Sequence, residues 1–329
     1  MASITKRGPY QFRVRVRRQG HPVQTKTFDN KRDAAAWASV IESEMARAVF
    51  VDRSASERTS FKELIERYIR DVTPLHKGAQ AERLRLERFV RNEPSLSVRF
   101  MSNLRTHHFE EYRDRRLKEV KPGTVKRELN LLHAVIESER KKLGLIENPI
   151  SDVKRPKAND QRAVRLSPAD EKKLLAEVDT ARNKFLKAAV ILAIETAMRR
   201  GELLSLTWDN VDFVSSIAHL PETKIDVPRD VPLSPRAISV LLVLMCERRN
   251  DPRVLPTSAE AIKNAFERAR KRAGLQHVNF HDLRHEAASR LFERGLSIEK
   301  VAIVTGHKDW QSLKRYTHLK ASDVAKELG

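Results

Sequence analysis

The chain opens on an alternation. In YQFRVRVRR (10–18), Phe12, Val14 and Val16 fall on one side and Arg13, Arg15 and Arg17 on the other. A period of two marks a half-buried β-strand, here with an arginine face. A turn at Gln19-Gly20-His21-Pro22 leads into a second β-rich run, VQTKTF. Asp29 or Asn30 is placed to cap a helix through the alanine-rich stretch from Lys31 to about Val49. Residues 1–55 therefore read as a small sheet with one helix.

Beyond this module the period becomes helical. Ser60 and Glu63 spell a capping box, and Phe61, Leu64, Ile65, Tyr68, Ile69 and Val72 form one stripe that stops near Pro74. Further helical patterns run over 79–90, 108–120 and 123–143, so residues 56–150 read as a helical domain. Asn148–Val164 has two prolines, several charges and no apolar period, which places a linker at 151–164. Ser167-Pro168 with Asp170 starts a new helix. The final domain, 165–329, reads as mostly helical, with short strands around a turn within Ser216–Leu233. The expected fold class is mainly α with small β elements (α+β). Trp208 is expected in the core and Cys246 as a buried helix residue.

Composition narrows the partner. The 329 residues carry 64 Lys+Arg against 44 Asp+Glu, a net charge of +20, while 40% are hydrophobic, so disorder is excluded on composition. No apolar run approaches the ~18–20 residues of a membrane span, and the start lacks the apolar core of a secretory signal. Cys246 is the single cysteine, which excludes an intrachain disulfide framework or a thiolate zinc cage and fits a cytoplasmic setting. The basic surplus is spread over all three modules rather than gathered in a tail. It points to a polyanion, most simply nucleic acid. The arginine face Arg13, Arg15, Arg17 suits a DNA major groove, as in β-ribbon readers.

Four separated patches hold reactive groups. In TAMRRGELLSLTWDNV (196–211), Arg199 stands where one apolar helical run ends, with Glu202 three residues on. A guanidinium at such a junction can hold an oxyanion bidentately. Lys224 lies between the two short strands. HDLRH (281–285) puts His281, Arg284 and His285 on one helical face. TGHKDWQSLKRYTH (305–318) carries His307 and, nine residues later, Tyr316.

In this order the patches resemble those of the tyrosine recombinase, or phage integrase, family, over residues 165–320. Arg199, Lys224, His281, Arg284, His307 and Tyr316 match the family's reacting positions one by one. Where the family often has Thr-Gly before the first arginine, this chain has Thr196-Ala197; where it often has Leu-Gly-His, this chain has Thr305-Gly306-His307. The resemblance implies a site-specific DNA recombinase that cleaves and rejoins strands through a 3′-phosphotyrosyl intermediate, with no metal, ATP or other cofactor. Tyr316 would attack, Arg199 and Arg284 would clamp the phosphate oxygens, His281 and His307 would add donors, His281 would be the base and Lys224 the acid. Glu202, His285 and Trp310 would be supporting residues. Residues 1–55 resemble an arm-type DNA-binding domain and 56–150 a SAM-like core-binding domain. The implied partners are double-stranded recombination sites, a homotetramer on DNA, and DNA-bending accessory proteins.

Three other readings compete. HDLRH echoes a zinc-protease pattern, but Arg284 beside the two histidines disfavours a dication. A type IB topoisomerase shares the chemistry without strand exchange. A catalytically silent DNA-binding regulator would not keep all six reacting positions competent.

Overall fold

A computed structural model of the protein describes residues 2–158, 164–221, 228–248 and 250–307, together with Asp309, Gln311, Leu313 and Tyr316. The chain divides into two compact units, 1–160 and 161–329.

The first unit starts with three antiparallel strands in the order β1 (Ala2–Gly8), β2 (Gln11–Val16) and β3 (Gln24–Phe28), followed by α1 (Lys31–Ala46). Strand β1 is an addition to the sequence reading. The register stacks Ile4 on Val14 on Lys26, and Thr5 on Arg13 on Thr27. Val14 and Val16 are fully buried against Ala34 and Ala38 of α1. The opposite face carries Ser3, Thr5, Arg13, Arg15, Thr25 and Thr27. Asn30 caps α1 by accepting from the Asp33 amide at 2.8 Å. The helix stops at Ala46 because Ala48 takes a left-handed conformation, φ 56°.

After a short connection come α2 (Ser54–Arg58), α3 (Phe61–Asp71), α4 (Ala79–Asn92), α5 (Pro94–Ser97), α6 (Thr106–Leu117) and α7 (Pro122–Glu139). Ser60 and Glu63 do form the reciprocal cap, at 2.8 and 3.2 Å. The stripe from Phe61 to Tyr68 packs on Leu86, Phe109, Leu129 and Ile136 in a core separate from that of the sheet. Each such buried side chain contributes roughly 1.5–3 kcal/mol.

The second unit holds α8 (Pro168–Asp179), α9 (Leu186–Thr196), α10 (Arg200–Ser205), an antiparallel sheet of β4 (Val211–Asp212), β5 (Ile217–Leu220) and β6 (Arg229–Pro232), then α11 (Pro235–Cys246), α12 (Ala259–Arg272), α13 (Phe280–Glu293) and α14 (Ile298–Thr305). The apolar helix α9 is buried almost all round and forms the centre of the core. Trp208 lies in that core. Cys246 does not: it is exposed, a correction to the expected burial. Helix α11 is largely apolar, yet only Ala237 and Leu241 are buried, so composition gave no cue to its outward face. Among the described residues no helix is long and apolar enough to cross a membrane.

Candidate functional site

The site is built where α9 breaks. After Thr196 the chain turns through Ala197, left-handed at φ 53°, and Arg199 becomes the N-cap of α10. Glu202, one turn in, reaches back. Its Oε2 accepts the Arg199 amide at 2.8 Å and its Oε1 accepts the Arg199 guanidinium at 2.7 Å. The carboxylate thus fixes both backbone and side chain of Arg199.

Helix α13 brings the second arginine. Arg270 of α12 donates to the Val278 carbonyl and to Asn279 Oδ1, at 2.6 and 2.7 Å, which sets the loop that enters the helix. Arg284 is only 3% exposed. It donates to the carbonyls of Ala197 and Thr305, joining the turn before Arg199 to the turn before His307. Burial, and then the neighbouring Arg199, pull its proton affinity down to about 9.

The third contributor comes from α14, which ends at Gly306 in a left-handed conformation, φ 67°. Thr305 donates its hydroxyl proton to the Val301 carbonyl, so toward His307 Nδ1, 2.7 Å away, it can only accept. That assigns the proton of neutral His307 to Nδ1 and leaves Nε2 with its lone pair. Burial and the cations Arg284 and Arg199 hold the imidazole neutral, its pKa pushed down to about 4. A negative charge arriving near Nε2 would oppose that.

Tyr316 is 7% exposed and packs with Ala288, Val301, Ala302 and Leu313. Its hydroxyl contacts Nδ1 of His285, whose ring lies 5.6 Å from the phenol ring. His281 is exposed one turn earlier, its ring 4.7 Å from that of His285 and edge-on to it. The hydrogen bond to the tyrosine therefore falls to His285, which the sequence reading placed as support, and not to His281. Beside Arg284 opens a cavity of about 370 Å³ lined by Met198, Arg200, Lys263, Arg270 and His281.

Arg199, Glu202, Arg284, His285, His307 and Tyr316 thus converge from four segments. Lys224 and Trp310 lie outside the described residues, as does the chain after Tyr316. Arg13, Arg15 and Arg17 belong to the other unit. One participant was missed. Arg229, at the start of β6, donates to Glu202 Oε2 at 2.6 Å and to the Val304 carbonyl at 3.0 Å. A signal for it existed: in RDVPL it shares a face with Val231, which is fully buried, so a basic residue stands on the core side of a strand.

The arrangement offers three guanidiniums against one carboxylate, a histidine held neutral, and a tyrosine hydroxyl on an imidazole. Such a pocket suits an oxygen nucleophile attacking a phosphodiester, whose equatorial oxygens gain negative charge. Comparison with known proteins points the same way. Residues 164–323 match the model of the phage integrase family. A "Shufflon-specific DNA recombinase" of Escherichia coli is 36% identical over 281 residues, covering 82% of this chain and 72% of the relative. A "Tyrosine recombinase XerC-like" protein of Caldanaerobacter subterraneus is 27% identical over 183 residues, 41% of this chain and 46% of that protein. The fold matches a crystal structure of a lambda integrase tetramer bound to a Holliday junction, with TM-score 0.68 at 19% identity over 95% of this chain and 94% of that one.

Proposed function

The chain belongs to the phage integrase family of site-specific DNA recombinases, and from that premise we propose that Tyr316 is the nucleophile that opens one DNA strand. Its Oη forms the bond to phosphorus as the bond to the 5′ oxygen breaks. The phosphate stays on the tyrosine as a 3′-phosphotyrosyl ester, so bond energy is kept and neither metal nor ATP is needed. A 5′ hydroxyl from a partner strand attacks that ester, releases Tyr316 and completes the exchange.

The roles are proposed residue by residue. Arg199 and Arg284 clamp the equatorial oxygens. His307 donates from Nε2 once the arriving phosphate has raised its proton affinity. The phenol proton passes to the His285–His281 pair, with His285 in contact and His281 next to it. Lys224 protonates the leaving 5′ oxygen. Residues 1–55 grip arm sites through the arginine face, and residues 56–150 grip the core site. Recombination takes place on a homotetramer, with accessory proteins bending the DNA in a prokaryotic cytoplasm.

The single observation that carries this reading is the contact of the Tyr316 hydroxyl with His285 inside the pocket that holds Arg199, Arg284 and His307. A nicked suicide substrate tests it. The wild-type chain should give a denaturation-resistant protein–DNA band, and Tyr316→Phe should bind the same DNA and give none. A band from the Phe variant would remove Tyr316 from the role.

A further inference from the structure

We infer that Arg229 is a positioning residue of the strand-cleavage reaction, a buried fork that sets the carboxylate holding Arg199 and the turn holding His307. The inference rests on the reading of Tyr316 as nucleophile. Arg229 sits on the core face of β6, its side chain 9% exposed, and its two terminal nitrogens diverge. One meets Glu202 Oε2, the same oxygen that accepts the Arg199 amide. The other meets the Val304 carbonyl, one residue before the Thr305 that takes Arg284 and orients His307. One side chain therefore spans the two turns that carry the phosphate-facing groups.

The fit is tight at Gly306. A Cβ there would lie 2.4 Å from Arg229 Nη1 and 2.9 Å from its Cδ. The guanidinium lies against the glycine backbone, which is itself left-handed, so no other residue suits the position. Electrostatics gives Arg229 a second task. Glu202, 5% exposed, would otherwise draw its compensation from Arg199 and, less directly, Arg284, and their charge would then be turned inward. With Arg229 neutralising the carboxylate, Arg199 and Arg284 keep a surplus of positive charge for a developing oxyanion. A lysine carries the charge but not the two-way fork.

The test uses the full chain on the nicked suicide substrate, with Arg229→Ala, Arg229→Gln, Arg229→Lys, Glu202→Gln and the double variant Arg229→Ala/Glu202→Gln. DNA binding is read by gel shift and folding by thermal melting. Arg229→Ala should bind within about 3-fold of wild type, while adduct formation falls roughly 100-fold, the scale of a misplaced catalytic group. Arg229→Gln keeps most of the volume and should show the same loss if the alanine variant does not fold. Arg229→Lys should recover less than about a tenth of the rate. The double variant should cleave faster than Arg229→Ala, because the uncompensated carboxylate is gone. A purely structural staple would make it no faster. The inference falls if a folded Arg229→Ala or Arg229→Gln cleaves within about 3-fold of wild type, or if the double variant brings no recovery. A wild-type chain that gives no adduct overturns the Tyr316 reading itself, and this inference with it.

Discussion

The site and the N-terminal sheet use arginine in opposite ways. At the site Arg284 is buried and the Arg229 side chain is only 9% exposed, and protein carbonyls and one carboxylate fix each nitrogen they use. In the first unit Arg15 and Arg17 are exposed and Arg13 is half-buried, on or just beyond a strand whose other face packs on α1. Burial removes the alternatives of a long side chain before substrate arrives, which is the condition for stabilising a charge that exists only in the transition state. Exposure leaves those alternatives open. It suits a surface that must accept many phosphates and gains its affinity by releasing counterions. On the function proposed above, the same residue type would do chemistry in one place and adhesion in the other.

The largest expected effect separates them. Arg199→Ala should lower adduct formation about 10²–10³-fold, as for removal of one preorganised oxyanion donor. Binding of the same DNA should change little. Arg199 is a cleaner choice than Arg284, whose removal strands the Ala197 and Thr305 carbonyls and costs about 1–3 kcal/mol for each. Equal loss of binding and cleavage would dissolve the distinction between the regions.

A smaller effect comes from the sheet. Changing Arg13, Arg15 and Arg17 together to alanine should leave cleavage of a bare core site intact. For DNA that includes an arm site, it should flatten the dependence of log affinity on log salt by up to about 3, near one for each phosphate no longer neutralised. Binding titrations between 50 and 200 mM salt, concentrations at which such losses are large, would read it. An unchanged slope would mean that the arginine face touches no phosphate.

What was legible in the sequence divides by range. The alternation of β2, the cap at Ser60 and the breaks around Arg199 are local, and the chain folds as those patterns say. The order of the candidate residues was legible through resemblance to a family. Long-range facts were not. Strand β1 exists because β2 pairs with it, and its own short run ends at Lys6-Arg7-Gly8. Which histidine meets Tyr316 depends on how the segment after α14 packs on α13, and spacing alone left His281 and His285 equivalent. Arg229 was hidden because its partners, Glu202 and Val304, lie 27 residues before it and 75 after it. Cys246 was misplaced because a largely apolar helix gives no sign of its exposed side.

The smallest effect repeats the contrast between the units in a pair of alanines. Ala48 and Ala197 both adopt the left-handed conformation, at φ 56° and 53°. Each follows the end of a helix, where glycine is the usual residue, and the phage integrase family often has Thr-Gly where this chain has Thr196-Ala197. An alanine there pays about 1–2 kcal/mol for its Cβ. Replacing it with glycine removes that strain but adds roughly 0.5–1 kcal/mol of unfolded-state entropy. At Ala48 the methyl is exposed and nothing else is given up, so Ala48→Gly should stabilise the first unit by about 0.5–1 kcal/mol. At Ala197 the methyl is fully buried, and removing it forfeits a further ~0.8 kcal/mol. The opposing effects then nearly cancel, and Ala197→Gly should leave the stability of the second unit unchanged. Urea unfolding of the two variants reads the difference. A gain at Ala197 as large as that at Ala48 would mean that the buried methyl packs poorly, and that the turn before Arg199 is held by its hydrogen bonds to Arg284, Thr196 and Glu202.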